Sequence, residues 1–194
     1  QRETARASSV AREEERQRLM RDLHDGLSGH LVSIIALSER ESADPAAIER
    51  TAREALDDLR MVINSLDLGD GDLLLALAEF RERVGPRLRR IGVSFEWSVE
   101  NLPRIGGVTP GNALSILRIL QEAVTNAIKH GPARSIEIAS ATGEGGSAVI
   151  TVRNDGVVTP GSIRGHGLNN MQSRAHALGG RIDLSHCDGQ AMLT

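Results

Sequence analysis

Tyrosine is absent, and Phe80, Phe95 and Trp97 are the only aromatic residues among 194. So sparse a set cannot build the base-stacking platforms that single-stranded nucleic acid requires. A net charge of -3 offers no broad basic surface either, so no direct nucleic-acid partner is expected. Cys187 is the lone cysteine, which excludes a disulfide framework or a thiolate zinc site within one chain. No apolar run approaches the roughly 20 residues that cross a bilayer, and no secretory leader pattern is present. Lys129 is the only lysine, and no Walker-type phosphate loop surrounds it.

What is present reads as a soluble protein. Hydrophobic residues make up 40% and charged residues 25% of the chain, both ordinary for globular proteins. Charge is distributed unevenly: residues 1–70 carry 10 arginines against 15 acidic residues, whereas residues 71–194 carry 13 basic against 11 acidic. An acidic first part and a slightly basic second part point to two units, the second suited to an anionic ligand.

From Arg2 to about Arg40 there is no proline, and Met20, Leu23, Leu27, Leu31, Ile34 and Leu37 recur at three- and four-residue steps. That periodicity predicts a long amphipathic helix. Asp44 and Pro45 then supply an N-cap and a first helical residue for a second helix, striped by Ile48, Ala52, Ala55, Leu56, Leu59, Ile63 and Leu66. Two such helices cannot bury both stripes alone, and pairing two hairpins into a four-helix bundle would. Residues 1–68 are therefore read as a dimerising hairpin, with the turn cluster Leu68–Asp72 as the boundary.

Residues 69–194 change character. A helix is expected from Leu73 to about Arg90, with Gly85-Pro86 a candidate break, and another from Thr109-Pro110 to Gly131-Pro132. A third is expected over residues 168–178, ending at Gly179-Gly180. Strands are expected over residues 93–99, 134–140, 147–155 and 181–185. The mixture predicts an α+β sandwich, one helical layer over a largely antiparallel sheet. The chain starts inside helical sequence and stops inside a strand-like run, so both ends read as cut. The last strand reads as truncated, and there is room upstream for a sensor or membrane segment.

Four stretches carry chemistry. In "QEAVTNAIKHG", Glu122, Asn126 and His130 lie four apart on one helix face. Together they could hold a hydrated Mg²⁺, which prefers oxygen ligands, although such a face is more often simply solvated. In "NDG", Asp155 and Gly156 form an ordinary turn or a hydrogen-bond acceptor for an exocyclic amine such as adenine's. In "GHGL", Gly165 and Gly167 precede a helix whose free N–H groups attract phosphate, without the spacing of a dinucleotide fingerprint. In "RLMRDLHDGL", His24 and Asp25 sit off the apolar stripe. Each signal alone loses to its bland reading, and their order along one chain makes them reinforce each other.

These residues resemble the N, G1 and G2 boxes of the GHKL (Bergerat) ATP-binding fold. "EERQRLMRDLHDGL" resembles the phosphoacceptor motif of the sensor histidine kinases of the nitrate-sensor and desaturase-thermosensor type. Gly167, Leu168, Met171, Arg174, Leu178, Gly179 and Gly180 also follow that subfamily's pattern. The resemblance covers essentially the whole chain. It implies a helical hairpin (1–68) joined to a GHKL-type catalytic domain (69–194), forming the cytoplasmic kinase core of a two-component system. ATP and Mg²⁺ would be its cofactors, and a second copy of the chain and a response-regulator receiver domain its partners. His24 would accept the γ-phosphoryl group, with Asp25 as base or orienter. Glu122 and Asn126 would place Mg²⁺ and water, and Lys129 and His130 would lie near the phosphates. Asp155 with Gly156 would read adenine, while Gly165, Gly167 and Leu168 would form the phosphate lid. Five residues past His24, where relatives with strong phosphatase activity carry Gln or sometimes His, stands Gly29. Weak phosphatase activity is expected unless His30 substitutes. The main alternative is a dimeric scaffold whose nucleotide site is catalytically weak. A GHKL ATPase without histidine chemistry and an HD-type phosphohydrolase fit the hairpin less well. His176, His186, Cys187, Phe95 and Trp97 read as structural or surface residues.

Overall fold

Alanine, arginine, glutamate and leucine dominate the first stretch, with no proline, and they form helix α1 over Arg2–Ser38. At 1.5 Å per residue it is about 55 Å long. The computed structural model describes residues 2–39, 44–67, 73–100, 102–103, 108–130, 132–156, 166–187 and 190–194. Helix α2, Pro45–Asp67, starts where the sequence puts its cap: Asp44 Oδ1 accepts from the Ala46 N–H at 3.0 Å. The two helices pack together as one unit, Gln1–Gly69.

Within this unit Leu23, Leu27, Ile34 and Leu37 are half-buried, and Ala55, Met61 and Val62 are buried. A second apolar sector faces outward. Leu31, Val32, Ile35, Leu56 and Ile63 are between 46% and 64% exposed. His30 joins the helices, its Nε2 lying 3.1 Å from Asp58 Oδ2.

The second unit comprises Asp70–Thr194, so the division falls inside the Leu68–Asp72 cluster, which lies outside the described residues. Helix α3 runs unbroken from Leu73 to Arg90 and contains Pro86. The expected helix is present in full, and the candidate break at Gly85-Pro86 does not interrupt it. Proline removes one backbone bond, while the buried face of Leu73, Ala76, Leu77, Phe80, Val84 and Leu88 continues past it. Gly85 lies against Phe95, where an added Cβ would stand 3.4 Å from the ring. Phe95 and Trp97 on strand β1, Ser94–Ser98, pack at 5.9 Å between centroids, and Trp97 reaches Phe80 at 6.4 Å.

Helix α4, Pro110–His130, is capped by Thr109, whose Oγ1 accepts from the Asn112 N–H at 3.2 Å. Strands β2 (Ser135–Thr142), β3 (Ala148–Asn154), β4 (Leu184–Cys187) and β5 (Gln190–Leu193) complete a sheet of order β1-β2-β3-β5-β4. The sheet is mixed. β1 and β2 are parallel, because the connection between them is helix α4, and a parallel neighbour requires such a crossover. The other pairs are antiparallel. Helix α5, His166–Ala177, ends with Gly179 at φ +73°. The Gly180 N–H bonds Ala175 O and the Gly179 N–H bonds His176 O, a Schellman-type stop.

Ile136, Ile138, Val152, Ala191 and Leu193 from the sheet are buried, as are Leu114, Leu117, Leu120, Val124 and Ala127 from α4. At about 25 cal/mol per Å² of apolar surface removed from water, this single helix-on-sheet interface supplies the unit's main driving force. The opposite face is polar, with Glu137 paired to Arg153 at 3.1 Å. Among the described residues no helix is long and apolar enough to cross a membrane.

Candidate nucleotide and phosphoacceptor sites

The 3.6-residue period that buries Leu120, Val124 and Ala127 turns Glu122 and Asn126 to a different sector of α4. Both are half-buried, and Lys129 is exposed. The side chain of His130 lies outside the described residues. Opposite them stands the first turn of α5. A Cβ at Gly167 would run into the Glu122 carboxylate, and would lie 3.6 Å from Asn126 Nδ2. Two motifs 41 positions apart thus meet, and the missing side chain of Gly167 leaves the Glu122 carboxylate room against the start of α5. Leu168 beside it is half-buried, and Gly165 lies outside the described residues.

A carboxylate and an amide oxygen, half-buried at a helix N-terminus, form a donor set that suits Mg²⁺ as it is usually held, with the remaining ligands from phosphate and water. Among the described residues no three His, Cys, Asp or Glu side chains cluster as a metal cage.

The turn after β3 sets Asp155 and Asn154 in different surroundings. Asp155 is exposed, and its Oδ1 accepts the Arg134 N–H at 2.8 Å and the Ser135 N–H at 2.9 Å. It clamps the start of β2 to the end of β3. The Ser135 hydrogen bond, above all, holds its carboxyl below the usual carboxylate range; desolvation opposes this, and the Arg134 N–H and charge add to it. Asn154 takes the covered side instead, half-buried and paired with Ile136 and Ala191. Its Oδ1 accepts the N–H of the buried Gly156 at 3.0 Å. Strand alternation was the available signal: Val152 is a core residue, and Asn154 is two positions on.

In the first unit His24 is exposed, as a group that reacts with an incoming phosphoryl donor must be. Its backbone carbonyl accepts the Ser28 hydroxyl at 2.7 Å, and that of Gly29 accepts the Ser33 hydroxyl at 2.9 Å. The Asp25 side chain lies outside the described residues. Gly29 is exposed, with nothing within 4 Å of where its Cβ would be.

Residues 111–192 match the family of histidine kinase-, DNA gyrase B- and HSP90-like ATPases. Sensor histidine kinase LnrJ of Bacillus subtilis is 33% identical over 183 residues, which is 87% of this chain and 44% of that protein. Sensor histidine kinase DesK of the same organism is 28% identical, covering 95% of this chain and 51% of its own length. The nitrate/nitrite sensor protein NarQ of Escherichia coli is 29% identical, covering 93% and 34%. The chain thus spans about half or less of these relatives. Among solved structures, the Erythrobacter litoralis blue-light activated histidine kinase superposes with a TM-score of 0.58 at 15% identity, over 91% of this chain and 60% of the other. Acinetobacter baumannii histidine kinase AdeS gives 0.55 at 17% identity, over 90% and 93%. Those two likenesses establish the fold.

Proposed function

Because the chain belongs to the sensor histidine kinases and carries their ATPase-type domain, we propose that it is an autophosphorylating kinase core. A ring nitrogen of His24 attacks the γ-phosphorus of ATP. A P–N bond forms, the bond to the bridging oxygen breaks, and ADP leaves. Asp25 orients the imidazole or takes its proton. The phosphoryl group then passes to an aspartate of a response-regulator receiver domain. Supply of ATP assigns this core to the cytoplasm.

The carrying observation is the seating of Gly167 against Glu122 and Asn126, in a chain whose other unit exposes His24. Glu122 and Asn126 would hold Mg²⁺, which when bound neutralises phosphate charge. Lys129 and His130 lie in the last turn of the same helix, suited to the phosphates, while Gly165, Gly167 and Leu168 suit a lid over them. Gly156, buried at the end of β3, adds no side chain there that would bar a base. Such transfer needs mainly positioning and charge neutralisation rather than covalent help from the protein. The outward sector of Leu31, Val32, Ile35, Leu56 and Ile63 supports a homodimer through the hairpin, since apolar surface of that extent is costly in water.

The test is autophosphorylation with γ-labelled ATP and Mg²⁺. The native chain is expected to take up an acid-labile, base-stable label, and His24→Gln to take up none. A label that persists in His24→Gln would refute the assignment.

A further inference from the structure

A polar contact between the two hairpin helices lies close to the proposed phosphoacceptor. His30 Nε2 is 3.1 Å from Asp58 Oδ2, with the two side chains 24% and 37% exposed, so the pair is partly shielded from solvent and salt. It falls six residues past His24, about 9 Å along α1. The stretch between them is the weak part of the helix. Gly26 and Gly29 lower its propensity, and nothing packs where a Gly29 side chain would stand. The Ser28 and Ser33 hydroxyls draw on the carbonyls of His24 and Gly29, a pattern that bends helices.

Imidazole is the side chain whose charge changes between about pH 5 and 8. A neutral ring makes an ordinary hydrogen bond to a carboxylate, whereas a charged ring makes a charge-assisted one that is roughly twice as strong. Helix α2 is the element packed against α1. It adds the half-buried Glu54 and Asp57 within one turn of Asp58, and Asp57 lies 4.0 Å from Arg60, whose side chain is 66% exposed. On α1 itself, Leu27, Ser33 and Ile34, one turn either side of His30, carry no charge.

We propose that the His30–Asp58 pair is a proton-responsive latch that holds the His24 segment of α1 in position for phosphoryl transfer. The proposal rests on the reading of His24 above and adds a control to it. Toward the acid end of the imidazole range the latch is an ion pair, and the weakened segment is anchored to α2 where it ends. Toward the alkaline end only a hydrogen bond remains, and α1 bends more freely about Gly26 and Gly29. His30 is thus a positioning residue. It acts through the placement of His24, where a misplacement of about 1 Å can cost a hundredfold in rate.

The test measures autophosphorylation of the whole chain with γ-labelled ATP and Mg²⁺ from about pH 6 to 8, expressed as the ratio of native to variant rates. Protonation of His24 itself slows every form alike and cancels in the ratio. His30→Gln keeps a hydrogen bond but never carries charge. Against it the native rate should gain about fivefold as pH falls across this range, the scale of a partly exposed ion pair. The gain should appear in kcat, with KM for ATP unmoved. Asp58→Asn leaves His30 able to take up a proton but removes the anion, and should match His30→Gln. This separates the pair from a direct effect of the His30 charge on His24. A ratio that is flat with pH, a change confined to KM, or an Asp58→Asn chain that keeps the native response would overturn the latch while leaving His24 as the acceptor. A native chain that takes up no label at any pH would overturn the underlying reading, and the latch with it.

Discussion

Gly167 and Asp155 show how single residues divide the work of the second unit. Glu122 meets Gly167 with the far end of a flexible side chain, so Gly167→Ala should push the carboxylate aside rather than break the fold. Mg²⁺–ATP affinity is expected to fall about tenfold, one displaced charged interaction, with the melting temperature almost unmoved. Calorimetric titration and a thermal melt of the same sample check this. Asp155→Ala should do the reverse, losing about 1 kcal/mol once solvent screening is allowed for. Because the folded carboxyl is more acidic than usual, its contribution is complete above the ordinary aspartate value near 4. It is lost as pH falls through the depressed folded value. Urea unfolding should therefore separate native and Asp155→Ala chains at pH 7 and bring them together once pH has fallen through that depressed value.

At the scale of the element, α1 is a long helix weakened around His24, the proposed phosphoacceptor. Gly26 and Gly29 each cost roughly 1 kcal/mol relative to alanine. The Ser28 and Ser33 hydroxyls draw on the carbonyls of His24 and Gly29, a bonding pattern that bends helices. His30, one position past Gly29, reaches across to Asp58 and supports the α1–α2 contact. With Gly29 facing open space, Gly29→Gln is sterically free. It should raise dephosphorylation of the cognate regulator severalfold, while also stabilising the helix by a few tenths of a kcal/mol. An assay of labelled regulator with and without ATP decides this, and no gain would count against Gly29 as the cause of weak phosphatase activity.

For the whole molecule, the hairpin is the part that the proposed dimer would complete with a second copy. Leu31 and Ile35 lie one helical turn apart in the outward sector of α1, both more than half exposed. Placing Glu at each should split the dimer to monomers in sedimentation equilibrium at micromolar concentration, since paired like charges in an apolar seam cost several kcal/mol. ATP binding by the second unit should survive, because that unit has its own core of α4 on β2 and β3.

Much of this was legible from chain neighbours alone. Periodicity located the two hairpin helices and the face of α4 that carries Glu122 and Asn126, start and stop signals bounded α4 and α5, and the Asp44-Pro45 and Thr109-Pro110 caps appeared as read. These features are set within a few residues, by propensity, capping and the alternation of apolar side chains. Tertiary structure decided what depends on distant partners. It carried α3 through Pro86, made β1 parallel to β2, tied His30 to Asp58, and brought Gly167 onto Glu122 from 45 positions away. It also chose between Asn154 and Asp155. Their order is plain in the sequence, but which of two adjacent side chains turns inward depends on the register of β3 against β2 and β5. A shift of one residue would exchange their faces. Register is set by burying Ile136, Val152 and Leu193 together, a choice made by the packed core and not by either residue itself.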